Sequence, residues 1–188
     1  MTSRTPLDRP RTAAAVAGTA VALLAVLPVT PASAAGGGFT GPSSTTVVNA
    51  NSGKCLEIAD WRTDNGAPAR QWECTGGAHQ LWDFKQAHGI TMLVNRNSKK
   101  CLEIADWRRD DGAPARQWEC TEGWNQGWLY VGQIGPRKEL GLSNLNSASL
   151  LEIADWRTDN GAPARQWSGG TAGVVAANKA WITAIKPL

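Results

Sequence analysis

The chain has 188 residues and a formal net charge of +3, with 42% apolar and 19% charged side chains. That balance excludes a wholly disordered chain, and it leaves no electrostatic footprint for nucleic acid or an anionic membrane. Ten Trp against two Phe and one Tyr is not how a core is ordinarily filled, so most of the Trp are expected to hold particular positions.

The amino terminus reads as an address. Arg4, Arg9 and Arg11 precede an apolar run from Ala13 to Val29, which closes on Pro31-Ala32-Ser33-Ala34. Basic, apolar and small-residue segments in that order make a secretory signal peptide, residues 1–34, cut after Ala34. The run is short of the roughly 20 residues that cross a bilayer, so no membrane span is expected. Residues 35–44, rich in Gly and Ser, read as a flexible lead-in. The protein is therefore expected to be secreted and extracellular, where disulfides persist.

Residues 45–188 then hold one passage written three times. Cys55-Leu56-Glu57-Ile58-Ala59-Asp60-Trp61-Arg62 returns from Cys101 to Arg108, and again from Leu150 to Arg157 with Leu in the first place. Each copy continues through an Asp-rich turn into Gly-Ala-Pro-Ala-Arg-Gln-Trp, ending at Trp72, Trp118 and Trp167. Gln80-Leu81-Trp82, Gln126-Gly127-Trp128 and Lys179-Ala180-Trp181 close the copies, which span about 45–90, 91–139 and 140–188. Asn49, Asn95 and Asn144 each stand six residues before the repeated passage.

Helical periodicity is absent. Thr45–Asn49, Cys55–Ile58, Arg70–Cys74 and Leu81–Lys85 read as strands, separated by turn residues such as Asn51-Ser52-Gly53 and Asp64-Asn65-Gly66. Four short strands per copy predict twelve in all, in an all-β fold. One copy is too small to bury its apolar face alone, so the three are expected to share a core about a pseudo-threefold axis. Trp82, Trp128 and Trp181 are the large residues expected to fill it.

Cysteines come and go in pairs. Cys55 and Cys74 recur as Cys101 and Cys120, while copy three has Leu150 and Gly169 at both places. Their joint absence is what a bridge within each copy predicts, so Cys55–Cys74 and Cys101–Cys120 are the expected pairs among three possible connectivities. The spacing lacks close Cys-x2-Cys pairs, and the Asp60–Gly66 run lacks the ligand alternation of a calcium loop. No metal and no cofactor are expected.

Three copies, each with a Cys-Leu-acid-Ile opening (Leu-Leu-acid-Ile in copy three), a Gln-Trp strand and, in the first two, a Gln-x-Trp close, resemble the ricin B-type β-trefoil lectins, across essentially all of residues 45–188. The resemblance implies a β-trefoil and a shallow carbohydrate site in each copy. An acid after the Cys-Leu pair, an aromatic on the third strand and polar residues before the closing Trp would clamp the sugar. Carried over, copy one offers Glu57, Trp72, His79 and Gln80, and copy two offers Glu103, Trp118, Asn125 and Gln126. Copy three offers Glu152 and Trp167, with Asn178 as a further candidate. The family's acid is usually Asp, and here it is Glu in every copy.

Each candidate has a competing role. Glu57, Glu103 and Glu152 are expected to point away from the core by strand alternation, either to sugar, onto a solvated face or into an ion pair with Arg70 and its counterparts. Trp72, Trp118 and Trp167 either stack on sugar or pack beneath a neighbouring loop. Trp61, Trp107 and Trp156 are candidates for a second stacking wall, and Asp60, Asp106 and Asp155 read as turn formers. Repeated acids in one environment are the opposite of the two contrasted carboxylates a glycosidase needs, so the expected function is non-catalytic, multivalent carbohydrate binding, with copy three the least preorganised. A protein-binding trefoil such as a protease inhibitor, whose loops would be Val131–Leu142 or Ser168–Lys179, and a targeting module for a separate glycoside hydrolase are the alternatives.

Overall fold

The computed structural model describes residues 44–134, 139–169 and 175–183. The expected signal peptide and nearly all of the lead-in lie outside the described residues, as do parts of the two longer connections, 135–138 and 170–174.

Among the described residues, thirteen strands occupy the twelve expected positions. Repeat one holds β1 (Thr45–Thr46), β2 (Val48–Asn49), β3 (Cys55–Ile58), β4 (Ala69–Trp72) and β5 (Leu81–Ala87). Repeat two holds β6 (Ile90–Asn95), β7 (Cys101–Ile104), β8 (Ala115–Trp118) and β9 (Trp128–Ile134). Repeat three holds β10 (Glu139–Asn144), β11 (Leu150–Ile153), β12 (Ala164–Trp167) and β13 (Ala180–Ile182). The extra strand arises because the first position changes partner midway. Thr45 and Thr46 pair with β5, Val48 and Asn49 pair with β13, and Val47 between them is buried in the core.

The first and last strands of each repeat run in the order β1-β5-β6-β9-β10-β13-β2, which closes a barrel through the short Thr45–Asn49 stretch. Closure removes the edges that a flat sheet would expose. The hairpins β3–β4, β7–β8 and β11–β12 cap it. Single bridges Pro68 to Arg116, Pro114 to Arg165 and Arg70 to Pro163 join the hairpins in a ring of three. This is a β-trefoil.

Trp82, Trp128 and Trp181 are buried in the shared core with Leu56, Ile58, Leu102, Ile104, Leu151 and Ile153. Each indole N–H donates to a main-chain carbonyl one hairpin away, at Leu56, Leu102 and Leu151, over 3.0, 3.1 and 3.1 Å. A large ring is thus buried without stranding its one polar atom.

The disulfides are Cys55–Cys74 and Cys101–Cys120, each with Cα atoms 5.1 Å apart. Leu150 takes the vacant first place in repeat three. Because that repeat holds its hairpin without a bridge, replacing Cys101 and Cys120 by Ala should leave the fold intact. Chemical unfolding of this variant should show a loss of about 3 kcal/mol, the chain-entropy value for a closed loop of this length.

Candidate functional site

In repeat two, β7 ends at Ile104 and the chain turns through Ala105–Trp107 with φ of 56° at both Asp106 and Trp107. Asp60 and Trp61, and Asp155 and Trp156, repeat this left-handed pair within a degree or two. Such a conformation costs a bulky residue on the order of 1–3 kcal/mol and persists only where its surroundings impose it. Here they do. Asp106 accepts from Arg116 Nη2 at 2.9 Å, and the Trp107 carbonyl accepts from Asn146 of repeat three at 3.0 Å. Gln166, also of repeat three, donates to the carbonyls of Arg108 and Asp110 at 3.2 and 2.9 Å. Repeat two grips the Trp61 turn in the same way through Asn97 and Gln117, and repeat one grips the Trp156 turn through Asn51 and Gln71.

Glu103 lies beneath this turn. All four residues of β7 are buried, so alternation takes Glu103 away from the apolar core but not into water. Its Oε1 accepts from Arg116 Nε at 2.9 Å, and its Oε2 from Gln126 and Asn125 at 3.1 and 3.2 Å. The ion-pair role therefore holds in all three repeats, with Glu57–Arg70 at 2.8 Å and Glu152–Arg165 at 2.9 Å. Burial pulls the Arg116 guanidinium down, but its hydrogen bonds to Glu103 and Asp106 outweigh that and hold it above its ordinary value. The same guanidinium carbon sits 4.6 Å above the Trp118 ring, and Arg70 and Arg165 cover Trp72 and Trp167 at 4.5 and 4.4 Å.

Trp118 is half-buried, with its Cζ3 edge against the turn at Gly66 of repeat one. Trp72 lies likewise against Gly161, and Trp167 against Gly112. The competing role as packing beneath a neighbour's loop is thus real, and one ring face is already covered by Arg. Trp61, Trp107 and Trp156 are instead 54%, 55% and 56% exposed. Trp107 lies against Gly123, where a Cβ would stand 2.9 Å from its ring, and Trp61 lies on the His79 imidazole with ring centres 3.9 Å apart.

These groups bound a cleft of about 240 Å3 in repeat two, lined by Glu103, Asp106, Trp107, Arg116, Trp118, Thr121 and Asn125. Of the residues expected from sequence, the structure brings Glu103, Trp118 and Asn125 together there. Gln126 is fully buried behind them, bracing the loop by accepting from the Thr121 N–H at 2.8 Å and donating to the Glu119 carbonyl at 2.7 Å. Gln80 braces repeat one in the same way. Sequence reasoning gave Asp106 a turn-forming role only, yet its carboxylate also faces the cleft. The available signal was an Asp-Trp pair unchanged in all three copies.

One position leaves an atom over in every repeat. Asn125 Oδ1, Asn178 Oδ1 and His79 Nδ1 are buried acceptors without a hydrogen-bond partner, all at the same position. Their main-chain carbonyls are fixed by Asn144, Asn49 and Asn95, each at 2.9 Å, which explains the Asn six residues before each repeat. Repeat three is better organised than the sequence implied. Asn178 donates to Glu152 at 3.1 Å as Asn125 does to Glu103, and Lys179 Nζ reaches the carbonyls of Ser168 and Gly169 at 2.9 and 2.7 Å. A lysine thus does the bracing done elsewhere by Gln.

Burial lowers the His79 imidazole below its ordinary 6.5, outweighing Glu57 at 3.2 Å, while Arg70 adds to the lowering. The unfolded chain regains the ordinary value, so below pH 6.5 it takes up a proton that the folded chain resists. Stability should therefore fall as pH drops through that region. His79→Asn, which installs the residue found at 125 and 178, should flatten the acid side of a melting-temperature profile. An unchanged slope would place the acid sensitivity elsewhere.

Among the described residues no cluster of His, Cys, Asp and Glu could hold a metal ion, and no helix is long and apolar enough to cross a membrane. Residues 34–118 and 79–167 each match the ricin-type beta-trefoil lectin domain-like family, two matches offset by about one repeat. The chain belongs to this family. No curated protein matches it. Among solved structures the lectin domain is similar to a designed threefold-symmetric protein, ThreeFoil, at 28% identity and TM-score 0.68, over 74% of this chain and 96% of that one. It is also similar to an exo-beta-1,3-galactanase from Clostridium thermocellum, at 28% identity and TM-score 0.69, covering 77% of this chain but only 30% of the enzyme. A Macrolepiota procera ricin B-like lectin in complex with lactose shares the fold at 13% identity and TM-score 0.63, over 75% and 94% of the two chains.

Proposed function

We propose that this lectin domain is a secreted, non-catalytic binder of neutral oligo- or polysaccharides, acting through three equivalent clefts. The observation that carries the reading is the repeated Asp-Trp pair. An open indole face stands beside a carboxylate in each repeat, and both are held in a costly backbone conformation by groups from the next repeat. A flat ring takes the C–H face of a sugar, and a carboxylate accepts two neighbouring hydroxyls. Trp61, Trp107 and Trp156 are the stacking walls, with Asp60, Asp106 and Asp155 at the rim. Trp72, Trp118 and Trp167 back the cleft. Glu57, Glu103 and Glu152, with Gln80 and Gln126, set the position of what touches sugar, and His79, Asn125 and Asn178 close the floor.

Against catalysis stands the threefold repetition itself, since each buried Glu is paired with the equivalent Arg of its own repeat and each rim Asp with that Arg too. The likeness to part of a galactanase favours one second reading, in which the domain delivers a separate hydrolase to its polymer. The test is a broad glycan and polysaccharide binding screen with a protease-inhibition control. Retention on a polysaccharide that is lost in Trp107→Ala supports the proposal. Inhibition of a protease with no glycan bound at millimolar concentration would replace it by the inhibitor reading.

A further inference from the structure

Repeat two carries a ring that its counterparts lack. Trp124 stands where repeats one and three have Ala78 and Ala177, and at 60% exposure it is the most exposed large apolar side chain among the described residues. Its two chain neighbours both bear on the cleft's lining. Gly123 is the residue against which the Trp107 ring lies, and Asn125 lines the cleft floor. The Trp124 backbone is therefore fixed at the cleft's margin, one residue from the Gly123 that packs against Trp107.

A second observation concerns the segment leading into it. Glu122 has φ of 57°, where repeat one uses Gly76 at 73°. A glycine takes that conformation freely and a glutamate does not. Glu122 is held by His88, whose Nδ1 lies 2.6 Å from its carboxylate, reaching across from the β5–β6 hairpin tip. Repeat two thus combines an added ring with an added brace on the turn that presents it. An indole left mostly in water at the margin of a cleft keeps its flat apolar face available to a ligand.

We propose that Trp124 forms a second sugar subsite, so that Trp107 and Trp124 together receive successive units of one glycan chain in repeat two. This rests on the carbohydrate-binding reading and adds chain-length selectivity to one repeat. The occupant is a neutral chain of at least two units. Asp106 and Glu122 flank the two rings with negative charge, while Arg116 is committed to Glu103 and Asp106, so uronic or sulfated units would be repelled.

The experiment follows the ten Trp indole N–H signals by NMR while the purified protein is titrated with galactose, β-1,3-galactotetraose, glucose and cellotetraose. A tetrasaccharide should move the Trp107 and Trp124 signals together, whereas its monosaccharide moves Trp107 with little effect at Trp124. Trp124→Ala should weaken tetrasaccharide binding at repeat two about 3- to 10-fold, the worth of one aromatic contact, and leave monosaccharide binding unchanged. Trp124→Phe should keep most of the affinity, and Ala78→Trp should raise tetrasaccharide binding at repeat one. Equal loss for both chain lengths, or no loss, overturns the second subsite while leaving the Trp107 site standing. If none of the four sugars moves any indole signal, the carbohydrate reading fails for these sugars and the subsite fails with it.

Discussion

Arg116→Ala is expected to destabilise the domain by about 3–5 kcal/mol, the range for stranding one member of a buried ion pair. Glu103 is nearly inaccessible, with 5% of its side chain exposed against 21% for Arg116, so the carboxylate bears most of the loss. It would retain Asn125 and Gln126 as donors, which places the effect toward the lower end. Asp106 is released at the same time, and with it one of the restraints on the left-handed Trp107 turn. Arg116→Lys should recover only part of the stability, because an ammonium is a point charge that cannot donate to Glu103 and Asp106 with a fork while lying flat on Trp118. Denaturant unfolding of the two variants beside the parent gives the order directly. A loss below 1 kcal/mol for Arg116→Ala would mean that the pair is solvated like an ordinary surface salt bridge.

The second large effect is on polymer binding. Each cleft is shallow and should bind a short sugar weakly, with Kd on the order of millimolar to tens of micromolar. On the proposed three-cleft reading, a long polysaccharide held at one cleft should meet the next at high effective concentration, raising avidity by ~10²–10⁴ without a new contact. Trp61→Ala, Trp107→Ala and Trp156→Ala should therefore each reduce polysaccharide retention, and the triple variant should lose that whole factor. Monosaccharide binding at an unaltered cleft should stay as it was. All three rings are exposed, so the triple variant should fold. If it fails only on one repeat's account, with the other two single variants silent, binding is monovalent. Trp118→Ala is expected to act differently, lowering stability by removing the surface on which Arg116 rests.

The fold was legible because its signals are local and repeated. The period, the closing Trp, the turn glycines and the paired loss of cysteines each state a constraint that one copy shares with the next. The site was legible only in part. Strand alternation places Glu57 off the core side, but it cannot tell that Arg70, His79 and Gln80 converge on that carboxylate from two other places in the chain. The choice between the two roles of Trp72 is beyond sequence for the same reason, since its covering groups are an Arg two residues back and a turn from repeat three. Lys179 read as the loss of a Gln, whereas its longer reach lets it serve the corresponding carbonyl, at Ser168, and the next one, at Gly169. What sequence does not express is a left-handed Asp-Trp pair, because neither residue type favours that conformation enough to announce it.

The grip of one repeat on the next has a bearing on how such a protein can arise. Asn97 and Gln117 hold the Trp61 turn, Asn146 and Gln166 hold the Trp107 turn, and Asn51 and Gln71 complete the circle at Trp156. A single repeat therefore owns the ring and the carboxylate of its cleft but not the groups that shape it, and it also donates a clasp that has nothing of its own to hold. Three separate copies of such a unit would satisfy every one of these contacts as a symmetric homotrimer, with the same donors and acceptors meeting across subunit boundaries. The single chain retains the geometry of that assembly, and covalent linkage frees each unit to diverge, as Trp124 and Lys179 have done.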